Sequence, residues 1–328
     1  MSKKPTVTID ATQLEAKLAQ FKAQKKLGLN LKKEVNRVAL STKPIATSSS
    51  SLMANEGYDL AVSRCRAKVK EISRICQDSN TVFRDRYFDL DFDRDQCLLS
   101  LLSFTTELKD PPGVKRVRDI FDKPQFFANE TLGNNNIQGD VIGDCHLIAA
   151  ISTLSSQPQL LLKTMIERDE EVGVYGFVFF RDGKWISSIV DDQLYVKAKP
   201  HAEAGWVKDY MDEKEYEASF IKGSKSLYFS RCANEHETWL PLLEKAYAKA
   251  HGDYSCIEGG WSGEAVEDLT GGIYSPIILS DVLDRDRFWN EELAKANTDR
   301  IFFVSTFDNH EEERIASAHA YSVLKTVE

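Results

Sequence analysis

The sequence predicts an α+β protein, and three observations carry that prediction. Tyr175–Phe180 and Trp185–Val190 are apolar runs flanking Arg181-Asp182-Gly183-Lys184, and an Asp-Gly pair suits the positive φ angles of a two-residue turn, so this is a hairpin. Between Glu237 and His251, the residues Leu240, Leu243, Tyr247 and Ala250 fall on one helical face, with Pro241 in the tolerated first turn. The apolar run Leu147–Leu154, ending before Pro158, reads as a buried helix that begins at Cys145. Gly143 permits its sharp start and Asp144 is a good N-cap residue.

The remaining segments follow in chain order. Among its 328 residues the chain has 51 acidic and 42 basic side chains, a formal charge of −9, which excludes a general nucleic-acid binder. The charge is uneven: residues 1–40 hold nine basic and three acidic side chains. Leu14, Leu18 and Phe21 recur there at helical spacing, which suits either an amphipathic helix touching an acidic regulatory partner or membrane surface, or a solvated arm. Ser41–Ser51, with Pro44, has too little apolar content to pack, so residues 1–51 are read as a basic extension and linker. Residues 52–80 are read as a helical connector. From about Asn80 aromatic pairs cluster, as Val82-Phe83, Tyr87-Phe88, Ile120-Phe121 and Phe126-Phe127, which marks a packed core. Ile301–Val304 and Tyr321–Leu324 read as further strands. The six cysteines have no clustered spacing and no signal peptide precedes them, which predicts a reducing, cytoplasmic setting. No apolar run approaches the ~18–20 residues of a membrane span.

The chemistry concentrates at Cys145. A thiol in the first turn of a helix feels the positive end of the dipole and unpaired backbone N–H groups, which favour the thiolate. Cys145 is therefore a candidate nucleophile, with a buried structural cysteine as the alternative. A nucleophilic thiol wants an imidazole. His146 projects about 100° away on the same helix. His201, His236, His251 and His310 sit in polar, loop-like or helix-end surroundings, whereas His319 lies between small residues at the start of a strand and suits a cleft. Asp191-Asp192 reads as a structural pair, since adjacent strand residues point to opposite sides. Cys232, His236 and Cys256 lack the spacing of a zinc site. Gly259-Gly260 and Gly271-Gly272 lack the lysine of a phosphate loop, so no nucleotide is expected.

Several blocks in order, Val114–Phe127, Gln138-Gly139 with Gly143-Asp144-Cys145, Trp185 with Val190-Asp191-Asp192, Trp239–Lys249, Gly259-Gly260, Glu267–Gly272 and His319–Val323, resemble the calpain family of papain-like cysteine proteases. The resemblance implies a two-lobed protease core with a helical first lobe over 81–272 and an incomplete β-rich second lobe over 273–328. It makes Cys145 the nucleophile and His319 the general base and acid. Gln138 becomes the side chain donating to the oxyanion, and Gly260 the backbone that receives an extended substrate. It also implies calcium, with Glu237 matching a first-lobe ligand. The chain departs from the family at several points. No asparagine follows His319, His146 stands for a tryptophan and Ala318 for a glycine. Gln138 lies seven residues before Cys145 instead of six, and Asn134-Asn135-Asn136 stand where the family has an aspartate. Two functions follow: a calcium-regulated endopeptidase acting on intracellular proteins, or a catalytically silent module that binds protein partners.

Overall fold

The computed structural model describes residues 50–102, 110–128, 136–137, 139, 142–298, 300–306 and 315–327. The basic arm 1–40 with its Leu14, Leu18 and Phe21 stripe, most of the Ser/Thr-rich stretch, Asn129–Asn135, Gln138 and His310 lie outside the described residues. The chain divides into Met1–Leu52 and Met53–Glu328, and the fold is that of the second unit.

Helix α1 spans Ser50–Asp78. Its residues Ala61, Cys65, Val69 and Cys76 are buried along one side. Strand β1 (Gly113–Arg116) follows, and then β2 (Asn136–Ile137). Helix α2 spans Cys145–Leu154, with only Cys145 and Ser152 half-buried and the rest buried, as a run that is apolar on nearly every side requires. Strands β3 (Met165–Asp169), β4 (Val174–Arg181) and β5 (Lys184–Asp191) form one antiparallel sheet with β4 in the centre. Arg181 pairs with Lys184, and Asp182 and Gly183 take φ of 50° and 76°, so the turn has the two positive angles that the Asp-Gly pair predicts. β6 (Gln193–Val196) pairs with β1, and β7 (Arg231–Cys232) with β2. Helices α3 (Trp239–His251) and α4 (Ser262–Thr270) follow, and β8 (Phe303–Ser305) pairs with β9 (Ala320–Ser322). Among the described residues no helix is long and apolar enough to cross a membrane.

Two apolar clusters hold the unit, one on each face of β4. Val174 and Val178 point toward α1, where they meet Ala61, Cys65, Val69 and Cys76. Tyr175, Phe177 and Phe179 point the other way into the main core, where Phe126 stacks on Tyr175 at 5.8 Å and Tyr247 meets Phe179 edge-on at 5.6 Å. Strand alternation puts these two rows on opposite faces. Gly176 falls in the α1 row, and a Cβ there would stand 2.6 Å from Val69 Cγ2 and 2.7 Å from Cys65 Sγ, so its bare backbone is what lets the helix lie this close.

A buried cation joins the sheet to α3. Lys245 Nζ and the Asp191 carboxylate are both fully buried, and the ammonium also donates to the carbonyls of Asp191 (3.2 Å) and Gln193 (2.9 Å). The Asp191 carboxylate accepts in addition from the backbone N–H groups of Asp85 (2.8 Å) and Gln193 (3.0 Å). Asp192 is paired with Arg116. Adjacent aspartates thus serve two separate structural ion pairs.

Candidate active site

Cys145 is the first residue of α2 and is a half-buried free thiol. Asp144 occupies the N-cap position, but its side chain makes no capping bond. The residue is fully buried, and its charge helps to push Glu244 of α3 up, so the capping role read from the sequence is not taken up. The first turn is closed by the Asp144 carbonyl, which accepts from Leu147 N–H at 2.9 Å and Ile148 N–H at 3.1 Å. The remaining backbone N–H groups of that turn point along the helix axis past Cys145, the setting that favours an anion.

His319 is half-buried and directly precedes β9. Its backbone N–H donates to Thr306 Oγ1 (3.0 Å) and its carbonyl accepts from Thr306 N–H (2.9 Å), while its ring meets Tyr321 edge-on at 4.9 Å. β9 packs along α2, so the strand that follows the histidine lies against the helix that starts at the cysteine. Ala318, before the histidine, has φ of +50°, a left-handed angle that a glycine would adopt without strain.

Gly260 is extended, and a Cβ on it would stand 2.8 Å from His146 Nε2. The neighbouring Gly259 N–H donates to the Gly143 carbonyl at 2.9 Å, which ties this segment to the start of α2. Gln138 lies outside the described residues, while Gly139 beside it packs against the backbone of Phe229 so closely that a Cβ would meet it at 2.7 Å.

Two other histidines stand beside Gly260, and the second departs from the sequence-based expectation. His146 is buried, and burial, with the nearby charge of His251, brings its imidazole down to about 4, so the ring is neutral at pH 7. It serves as packing under Gly260. His251, expected in solvent, bonds Asp268 at 3.0 Å and lies over Tyr247 at 4.1 Å, because its place at the end of α3 is covered by α4. Both rings line a cavity of about 320 Å³ beside Gly259 and Gly260, together with Glu264 and Glu267.

Cys232 is buried and its thiol is pushed up to about 12 by burial, which keeps it protonated. Glu237 is buried too, and its Oε1 accepts from Ala128 N–H at 2.9 Å. A calcium ion takes roughly 6–8 oxygen ligands. Among the described residues no three His, Cys, Asp or Glu side chains stand close enough to hold a metal, so these residues do not by themselves build the site. Sequence reasoning missed the Lys245–Asp191 ion pair and the influence of Asp144 on Glu244, which join residues far apart in the chain.

The calpain family cysteine protease model matches residues 87–328. Among curated relatives, Calpain-12 of Mus musculus is 30% identical over 264 residues, covering 78% of this chain and 32% of its own length. Calpain of Schistosoma mansoni is 30% identical over 223 residues (64% and 26%), and Calpain-A of Drosophila melanogaster 33% identical over 218 (64% and 23%). The chain therefore spans about a third or less of the length of these relatives. With a mixed helix and strand fold, a cysteine at a helix start and a match over most of its length, the chain belongs to the calpain family of cysteine proteases.

Proposed function

We propose that the chain is the protease core of a calpain-type endopeptidase that hydrolyses peptide bonds in intracellular proteins, with a cysteine lobe over 81–272 and a histidine lobe over 273–328. The observation that supports it best is the packing of β9, next to His319, along the helix that begins at Cys145. In this reading the Cys145 thiolate attacks the substrate carbonyl carbon, forming a C–S bond and a tetrahedral oxyanion. The oxyanion accepts from the Cys145 backbone N–H and from Gln138. Imidazolium at His319 gives its proton to the leaving amine as the C–N bond breaks. Water, deprotonated by His319, then hydrolyses the thioester and returns the thiol. The substrate chain runs extended past Gly260, a contact that needs a bare backbone. Six free thiols suit a reducing compartment.

The test is hydrolysis of an unstructured protein and a fluorogenic peptide by the purified chain, with and without added calcium, beside Cys145→Ala. Loss of all hydrolysis in Cys145→Ala is expected. Hydrolysis that survives the substitution overturns the assignment of the nucleophile. A wild-type chain that binds the peptides and cleaves none, with or without calcium, makes it the silent binding module instead.

A further inference from the structure

We propose that the cavity beside Gly259 and Gly260 is a subsite for a cationic side chain, arginine or lysine, of the bound peptide. This rests on the protease reading above, in which the substrate runs extended past Gly260, and it names the substrate class. The cavity holds about 320 Å³, at the small end of the range of roughly 300–1,000 Å³ for ligand pockets, so it suits one long side chain better than a whole small molecule. The buried rings of His146 and Tyr247 line it on the inside, and Asp182, Glu264 and Gly260 are exposed at its rim. The opening therefore lies beside the glycine past which the peptide runs.

Charge selects the occupant. Four carboxylates line the cavity, Asp182 from the β4–β5 turn and Glu264, Glu267 and Asp268 from α4. Arg181 is the one lining residue with a permanent positive charge, and its guanidinium is held by His251 Nε2 at 2.7 Å. Asp268 accepts from Tyr247 Oη at 2.8 Å, and Glu267 Oε1 accepts from Tyr274 N–H at 2.8 Å. Asp182 and Glu264 have no ion-pair or hydrogen-bond partner among the described residues, which leaves both rim carboxylates open to a cation. A cleft lined mostly by one sign of charge focuses its field on what enters. A second observation, independent of the carboxylates, points the same way. His146 is 5% exposed, and its Nδ1 is buried with no hydrogen-bond partner. Neutral at pH 7, the ring keeps a lone pair, and an unpaired buried polar group is destabilising. A guanidinium or ammonium entering the cavity brings N–H donors to this ring, whereas an apolar or acidic side chain brings none.

The experiment is fluorescence anisotropy of labelled alanine octapeptides on Cys145→Ala, so that binding is read without turnover. A single arginine is placed at each interior position in turn, and a matching set carries citrulline, which keeps the size of the side chain and removes its charge. One position is expected at which arginine binds about tenfold tighter than citrulline in low salt, with the preference shrinking as salt rises. Asp182→Asn and Glu264→Gln keep the shape, and asparagine suits the positive φ at position 182. Each is expected to reduce the preference about two- to fivefold, and Glu264→Arg to abolish it. Equal binding of the two peptides at every position, no binding of either, or a preference that survives Asp182→Asn combined with Glu264→Gln overturns the subsite. Hydrolysis by the wild-type chain reports on the protease reading separately. Cleavage without the arginine preference keeps the protease and removes the subsite, whereas arginine-dependent binding without cleavage keeps the subsite within the silent binding module.

Discussion

His146 makes stability depend on pH over a defined window. The folded protein holds its imidazole at about 4 and the unfolded chain at the ordinary 6.5, so the unfolded state takes up the proton first. The stabilisation is whole above about pH 6.5 and drains away as pH falls through 6.5 to about 4. At about 1.4 kcal/mol for each pH unit across that interval, charging the buried ring costs about 3 kcal/mol. Nδ1 has no hydrogen-bond partner, so His146→Phe gives up no bond and is expected to cost less than about 1 kcal/mol at pH 7. The assay is urea unfolding of wild type and His146→Phe at half-unit steps from pH 4 to 8. Asp89 is raised by burial, but Arg84 and backbone donors more than offset this and bring it to about 2, so its own loss falls mostly below the window. Raised Glu244 works in the opposite direction as pH rises past the ordinary carboxyl range, and is common to both proteins. The difference between the two curves therefore isolates the ring. Parallel curves between pH 6.5 and 4, within about 0.5 kcal/mol, would refute the reasoning.

Three further substitutions test the packing. Lys245→Met leaves the fully buried Asp191 carboxylate without its cation and is expected to cost about 3–5 kcal/mol in urea unfolding, with partial recovery in Lys245→Met combined with Asp191→Asn. A cost under about 1 kcal/mol would mean that water reaches the pair. Gly176→Ala puts a methyl at 2.6 Å from Val69 Cγ2 and is expected to lose about 1–3 kcal/mol, part of it regained with Val69→Ala; equal losses in the single and double variants would count against the close approach of α1. Ala318→Gly relieves a left-handed alanine worth about 1–2 kcal/mol and gives back about 0.5–1 in chain entropy, so its thermal midpoint is expected to rise slightly; a fall would place the strain elsewhere.

What could be read from the sequence was local. The hairpin at Asp182-Gly183 and the helices at Cys145 and Trp239 announce themselves through turn chemistry and periodicity within a few residues, and the structure places all three. The motif order around Cys145 and His319 carried the family. The illegible part is pairwise and distant: Lys245 and Asp191 are 54 positions apart, and nothing in either neighbourhood says that they meet. The same holds for Glu244, pushed up by burial and by the charge of Asp144, 100 positions earlier, whose side chain makes no capping bond at the position that suggests one. β2 and β7 are two residues each, too short for a strand period to show. His251 looked solvated because α4, which covers it, comes later in the chain.

With both of its faces covered, β4 has no wet side by which a wrong pairing could be recognised. A slip of one residue exchanges its two rows. Phe177 would then be driven at α1, where Cys65 and Val69 leave no room even for a methyl, and Gly176 would open a void among Phe126 and the other core rings. Proof-reading of this sheet is thus done by volume and not by polarity. Evolution is correspondingly free to change the chemistry of either row, provided that small stays opposite α1 and large stays opposite the aromatic core.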